Sequence, residues 1–254
     1  MEVEKSKVIS PEYEKLLKEM EALQATFLDN MSHELRTPIT VILGYAGILC
    51  DEIEDPDLKE MAEIVLKSSN RLTETLNLLL DQSDIQSEKL DVDFVKCNMA
   101  QKLKTLVNIY QPVANDKNIS INLISNREDI FCNVDVKMFE KALDNILSNA
   151  IKYTNSGTIS IKLNSFIKDD KAFARMEIID SGIGIEEDKQ AMVFEAFRQV
   201  SEGMNRLYQG TGLGLSVTKK FIEIMHGEIS VKSKVNEGTT FTILLPQVGA
   251  LFFS

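Results

Sequence analysis

Apolar residues at steps of three and four constrain this chain more than any other feature. They fall at Leu16, Met20, Leu23, Phe27, Met31, Leu35, Pro38, Ile42, Ala46, Leu49 and Ile53. Such spacing marks one face of a helix. The stripe outruns an ordinary globular helix and points to coiled-coil or bundle packing. The acidic stretch DEIEDPD, 51–57, interrupts it, and Pro56 suits the first turn of a new helix. A second stripe follows at Leu58, Met61, Val65, Leu72, Leu76 and Leu79. Two long amphipathic helices around a short turn form a hairpin. One hairpin buries little, so a dimer forming a four-helix bundle is its natural completion.

From Asp93 onward the period changes. VNIYQPVANDKN reads as a helix end and its exit, and ISINLI (119–124) alternates as a strand. VDVKMFEKALDNILSNAIKY (134–153) reads as a helix, with Asp135 suited to its N-cap. TISIKLNSF (158–166) and FARMEIID (173–180) read as strands around a KDDK turn. GLSVTKKFIEIMHG (214–227) reads as a helix ending at a glycine, and EISVKS and TTFTILLP as two last strands around NEG. The class expected is α+β. A helical hairpin occupies 1–93, a sheet covered by helices on one face (an α/β sandwich) occupies 94–248, and 249–254 is an apolar tail.

Charge separates the same two parts. Residues 1–93 carry 21 acidic and 9 basic side chains, a balance of −12, against +1 over 94–254. An acidic first part disfavours nucleic acid, which needs clustered cations over phosphates. The near-neutral remainder suits an anionic ligand better. Cys50, Cys97 and Cys132 are odd in number and lie in no metal-ligand spacing, which suits a reducing compartment. The longest apolar run, VILGYAGILC (41–50), is too short to span a bilayer, and MEVEKSKVIS lacks the apolar core of a signal peptide. A cytoplasmic chain is expected, with membrane attachment only through a region that this chain lacks.

His33 is one of two histidines. It stands two residues from both Met31 and Leu35, about 200° from the stripe at 100° per residue, hence on the solvent side. Thr37 is one turn on, and Glu34 is adjacent. Pro38 costs a helix about 3 kcal/mol and frees a carbonyl in the turn that holds Glu34. The residue types allow a metal ligand, a general base, a nucleophile or a bystander. HELRT opens like the H-E-x-x-H zinc motif, but Thr37 stands where the second ligand belongs. His226 precedes Gly227 at a helix end, where it suits a cap.

Three further segments stand out. In DNILSNAIKYT (144–154), Asn145 and Asn149 share a helix face, followed by Lys152. Amides there are poor helix choices, and Mg²⁺ ligation with a cation for phosphate would justify them. In DSGIGIEE (180–187), Asp180 can accept from an exocyclic amine while Gly182 and Gly184 let backbone approach a flat ring. In GTGLGLS (210–216), free N–H groups at a helix start make an anion site. It is neither a Walker A loop nor a dinucleotide fingerprint. Between the last two segments, FEAFRQV offers Phe194 and Phe197 as anchors for a flap, or as ordinary core.

In order, SHELRTP, NILSNAIKYT, DSGIGI, FEAF and GTGLGL resemble the histidine, asparagine, glycine and phenylalanine boxes of bacterial sensor histidine kinases, over about residues 20–246. The resemblance implies ATP and Mg²⁺ as cofactors, a homodimer, and a response-regulator receiver domain as partner. It implies that His33 attacks the γ-phosphate, that Glu34 takes its proton, and that Thr37 positions water to dephosphorylate the regulator. It implies Asn145 as the Mg²⁺ ligand, Asn149 and Lys152 on the phosphates, and Tyr153 beside the base. Asp180 would read the adenine amine, with Gly182 and Gly184 giving it room. Residues 198–209, with Arg198 and Arg206, would form a lid. Gly210, Gly212, Leu213 and Gly214 would shape that lid and the phosphate-facing helix start, and Thr240 would touch adenine through water. Other readings are an ATPase or chaperone on the same nucleotide fold without phosphotransfer, and a dimerisation module with a degenerate nucleotide site.

Overall fold

A computed structural model describes residues 11–87, 90–198 and 211–248. The chain divides into two compact units, Met1–Leu90 and Asp91–Ser254.

The first unit is a pair of helices, α1 (Pro11–Glu52) and α2 (Pro56–Gln86). Only Ile53, Glu54 and Asp55 connect them. Asp55 caps α2, its carboxylate accepting from the N–H groups of Asp57 at 3.0 Å and Leu58 at 3.1 Å, and Pro56 follows in the first turn. α1 continues through Pro38 as one helix. The seam between the helices is not the large-residue stripe. Among the described side chains the buried ones are Ser32, Ile39 and Ala46 of α1 and Ala62, Ser69, Leu76 and Ser83 of α2, each set at intervals of seven. Small side chains let two backbones approach closely, and a seven-residue interval keeps a seam on one face of a helix. Met20, Leu23, Phe27, Met31, Leu35, Ile42 and Leu49 stay exposed, as do Leu58, Met61, Val65 and Leu72. Hairpin closure therefore leaves a second, apolar face uncovered.

The second unit is built on a five-stranded sheet in the order β2-β4-β5-β7-β6. The strands are β2 (Ile119–Ser125), β4 (Gly157–Lys168), β5 (Lys171–Asp180), β6 (Glu228–Lys234) and β7 (Gly238–Pro246). β2 and β4 are parallel, and the other pairs are antiparallel. Parallel pairing needs a crossover, which β3 (Phe131–Asp135) and α4 (Val136–Tyr153) supply. β3 pairs with β1 (Phe94–Asn98) in a separate two-stranded ribbon that the sequence pattern does not reveal. α3 (Met99–Asn115) packs on β2, a short α5 (Glu187–Gln190) packs on β6, and α4 and α6 (Gly214–Ile224) pack together. Alternate residues of the central strands turn inward: Ile159, Ile161 and Leu163; Ala174, Met176 and Ile178; Phe241, Ile243 and Leu245. They meet Phe139, Leu143, Ile146 and Leu147 of α4 and Val217 and Phe221 of α6, all buried. One face of the sheet is thus covered by helices and the other carries half-buried residues.

Local chemistry explains the ends of these elements. Asp135 caps α4 through Met138 N–H at 3.0 Å, and its other oxygen accepts Asp93 N–H at 3.0 Å, fixing the approach to β1. Asp169 and Asp170 both hold positive φ, the pair of left-handed residues that a tight hairpin between β4 and β5 requires. α6 stops at Ile224, three residues before the expected glycine. His226 takes the left-handed position (φ 57°), and Gly227 N–H reaches back to Ile222 O at 2.8 Å. The His226 ring stacks on Phe94, 5.9 Å between centroids. Gly227 serves close approach instead, since a Cβ there would lie 2.6 Å from Leu244 O.

Candidate active site

In the second unit the candidate residues gather where β5 ends, β7 begins and α4 runs alongside. Asp180, the last residue of β5, is only 6% exposed. Its Oδ1 accepts from Gly182 N–H at 2.9 Å and Thr239 N–H at 3.2 Å. Its Oδ2 accepts nothing from the described residues. Burial pushes this carboxyl above its ordinary value, and the two backbone donors pull it partway back. The result is a buried acceptor with one oxygen available to a ligand.

The glycines after Asp180 make room for neighbouring protein atoms. A Cβ at Gly182 would lie 2.5 Å from Tyr153 O, 2.8 Å from Asp180 Oδ1 and 3.0 Å from Thr154 Oγ1. One at Gly184, where φ is +72°, would lie 2.1 Å from Lys234 O. Both positions fold the loop tightly against α4 and β6, and this seats Asp180.

α4 presents Asn145, Asn149 and Lys152, all half-buried, at i, i+4 and i+7. Asn145 Nδ2 donates to Gly214 O at 3.3 Å, so this amide meets the start of α6. A Cβ at Gly214 would lie 2.8 Å from Asn145 Oδ1. The first turn of α6 has no side-chain cap, so its leading N–H groups keep their anion-binding character. Leu213 is buried, leaving only its backbone for a ligand, and its N–H donates to Thr211 Oγ1 at 3.3 Å. Lys152 Nζ sits 5.1 Å from the Tyr153 ring centroid. Gly212 (φ +71°) accepts Phe197 N–H at 3.0 Å.

Phe194 is half-buried and meets Phe241 edge-on at 6.3 Å, whereas Phe197 is exposed in a left-handed conformation, φ 64°. Only the first of the two is core. Arg198 is exposed and pairs with Glu195 at 3.2 Å. Arg206 and Gly210, with most of the expected lid, lie outside the described residues.

Thr240 is not the threonine beside Asp180. In the register of β5 and β7 Asp180 faces Thr239, which is buried, and Thr240 turns to the opposite face. Alternation held the clue, because Thr239 shares the face of Phe241 and Ile243. The sequence reading also missed Thr154, buried with an unpartnered hydroxyl beside Gly182, and the Ser233–Gln190 pair behind Thr239.

In the first unit His33 lies within α1, but its side chain is outside what the structure describes. Glu34, Arg36 and Thr37 are exposed. The angular placing of His33 took Met31 and Leu35 as buried, yet both are exposed, and it is Ser32 that faces the seam. Pro38 offers no N–H to the Glu34 carbonyl. Two residues on, Thr40 Oγ1 donates to Arg36 O at 2.8 Å.

An uncapped helix start, paired asparagines and a buried carboxylate on one unit, with the SHELRTP segment within a helix of the other, fit the class of histidine kinase cores. Comparison with known families agrees. Residues 23–88 match the His Kinase A (phospho-acceptor) domain, and residues 134–249 match the histidine kinase-, DNA gyrase B- and HSP90-like ATPase family. The chain belongs to the histidine kinases, as a catalytic core. It is 36% identical over 228 residues to the autoinducer 2 sensor kinase/phosphatase LuxQ of Vibrio parahaemolyticus, covering 88% of this chain and 26% of that protein. It is 34% identical over 233 residues to the circadian input-output histidine kinase CikA of Synechococcus elongatus, covering 89% and 30%. The chain thus spans about a quarter to a third of these relatives' length. Among solved structures, full-length ShkA in complex with AMPPNP shares the fold, with TM-score 0.72 and 24% identity over 89% of this chain and 46% of that one. The Acinetobacter baumannii histidine kinase AdeS does so with TM-score 0.56 and 23% identity over 84% and 97%. Among the described residues no helix is long and apolar enough to cross a membrane.

Proposed function

We propose that this chain uses ATP to phosphorylate His33, passes the phosphoryl group to an aspartate of a response-regulator receiver domain, and removes it again from that partner. The observation that carries the nucleotide step is Asp180, which is buried, holds both of its backbone hydrogen bonds on Oδ1 and leaves Oδ2 open. The adenine amine donates to that oxygen. Asn149, Lys152 and the first turn of α6 hold the phosphates. The Asn145 amide oxygen is a hard donor of the kind Mg²⁺ takes beside phosphate oxygens and water, so this residue fits the ion, which neutralises phosphoryl charge when bound.

The lone pair of a His33 ring nitrogen attacks the γ-phosphorus. The bond to the β–γ bridging oxygen breaks, and its electrons leave with ADP. Glu34 accepts the proton from the other ring nitrogen. Thr37 orients water toward the regulator's phosphoaspartate, and the relatives named kinase/phosphatase support this reverse activity. The exposed apolar face of α1 and α2 supports a homodimer. A kinase of cellular ATP works in the cytoplasm, in keeping with three free cysteines.

Incubation with γ-labelled ATP and Mg²⁺ tests the central step. The label is expected on the chain, lost in acid, stable in base, and absent from His33→Gln. Acid-stable label, or label retained in His33→Gln, defeats the proposal.

A further inference from the structure

Behind Thr239 lies a small hydrogen-bond network that fixes where each proton points. Gln190 clamps the backbone of Ser233 from both sides. Its Oε1 accepts Ser233 N–H at 3.2 Å, and its Nε2 donates to Ser233 O at 2.7 Å and to Ile185 O at 3.1 Å. The Ser233 hydroxyl then has three neighbours: Ile185 N–H at 2.8 Å, Gly238 O at 2.7 Å and Thr239 Oγ1 at 2.9 Å. A carbonyl oxygen has no proton to give, so the single Ser233 proton goes to Gly238 O. Turning it elsewhere would set two lone pairs against each other at 2.7 Å. Ser233 Oγ therefore accepts twice, from Ile185 N–H and from the Thr239 hydroxyl. With its proton committed, Thr239 Oγ1 can only accept from a ligand. Asp180, opposite Thr239 in the strand register, offers Oδ2 as a further acceptor, and the Thr239 N–H is already spent on Asp180 Oδ1.

We propose that Ser233 is a specificity-determining residue. By receiving the Thr239 proton it makes the base recess an all-acceptor surface, which admits a purine carrying an amino group at position 6 and rejects one carrying an oxo group there. The inference rests on the nucleotide reading given above and assigns the selectivity to a residue that touches no ligand itself. A 6-oxo purine in direct contact would set a third acceptor against these two. Sites that leave buried polar groups unmatched in this way discriminate strongly.

Calorimetry on the full chain with Mg²⁺, using ADP and inosine diphosphate, tests this, because the two bases differ at position 6 and in the N1 proton that follows from it. Wild type is expected to favour ADP by at least about a hundredfold. In Ser233→Ala the Thr239 hydroxyl loses its acceptor and turns toward the recess, so the ratio should narrow about tenfold. Ser233→Thr keeps a hydroxyl and should restore the ratio. Thr239→Val should narrow it as well, Thr239→Ser should keep it, and adding Ser233→Ala to Thr239→Val should change it no further. The Thr239 pair decides the matter even if Ser233→Ala does not fold. A ratio equal to wild type in Thr239→Val overturns the inference, as does a folded Ser233→Ala that loses both nucleotides equally. Wild type that binds neither nucleotide overturns the nucleotide reading itself.

Discussion

Asp180 shows how a group held for a proposed ligand burdens the fold around it. Desolvation lifts its carboxyl above the ordinary 3.8. An acid whose folded pKa exceeds its unfolded one adds to stability below the unfolded value, and that contribution is lost as pH rises through the folded value. At neutral pH ionised Asp180 therefore weighs against folding. Asp180→Asn should melt no lower than wild type at pH 7, with the difference shrinking or reversing as pH falls from the raised value toward 3.8. The same variant puts an N–H where Oδ2 stood, so ADP binding should be lost, by about 1.5–3 kcal/mol or more. Scanning calorimetry and ADP titration separate the two effects. For the exposed pair on α1, Glu34→Ala should slow autophosphorylation by about 10²–10⁴-fold while sparing dephosphorylation of the regulator, and Thr37→Ala should do the reverse. Parallel loss of both rates in both variants would mean that the stretch acts as one unit. Asp180, Asn145 and Asn149 were legible because a carboxylate at a strand end and amides on a helix stripe are poor choices without a ligand. Thr239 was misread by one position, since the register that turns it inward depends on pairing with β5. Ser233 was invisible, since its role comes from hydrogen bonds to residues 48 and 5 positions away in the chain.

At the scale of elements, strong periodicity was readable and weak pairing was not. α1, α2, α4 and the inward alternation of β4, β5 and β7 follow directly from apolar spacing. β1 and β3 are five residues each and mix polar with apolar positions, so only their mutual pairing defines them. The hairpin seam escaped for a different reason: hydrophobicity finds large residues, and close helix contact selects small ones. Ala62, buried at the seam, shows this. Ala62→Leu should overpack the hairpin and cost about 1–3 kcal/mol, although leucine is a good helix former and more hydrophobic. Thermal unfolding of the first unit measures it, and an unchanged or raised midpoint would show that the seam has room. On β3, Cys132 is wholly buried opposite Cys97, and burial pushes its thiol to about 12. Iodoacetamide at pH 8 should modify half-exposed Cys50 first, Cys97 more slowly because burial raises its thiol as well, and Cys132 only after unfolding, as read by peptide mass.

For the whole molecule, the uncovered face of α1 and α2 is the surface that the proposed homodimer would bury. Light scattering at micromolar concentration should return twice the chain mass of 28.6 kDa. Ile42→Glu with Leu72→Glu places charge on two exposed positions of that face and should give a monomer. ADP affinity should be unchanged, since the second unit has its own core. The strand order carries a consequence for synthesis. β7, the last strand made, lies between β5 and β6. Until it emerges from the ribosome, β5 and β6 each offer an open edge, and Asp180 lacks the backbone donor of Thr239. A nascent chain halted before Gly238 thus has neither a closed sheet nor both backbone donors on Asp180. A chain stopped between Asp180 and Gly238 should therefore aggregate rather than retain weak nucleotide binding, as sedimentation of the truncated protein would read.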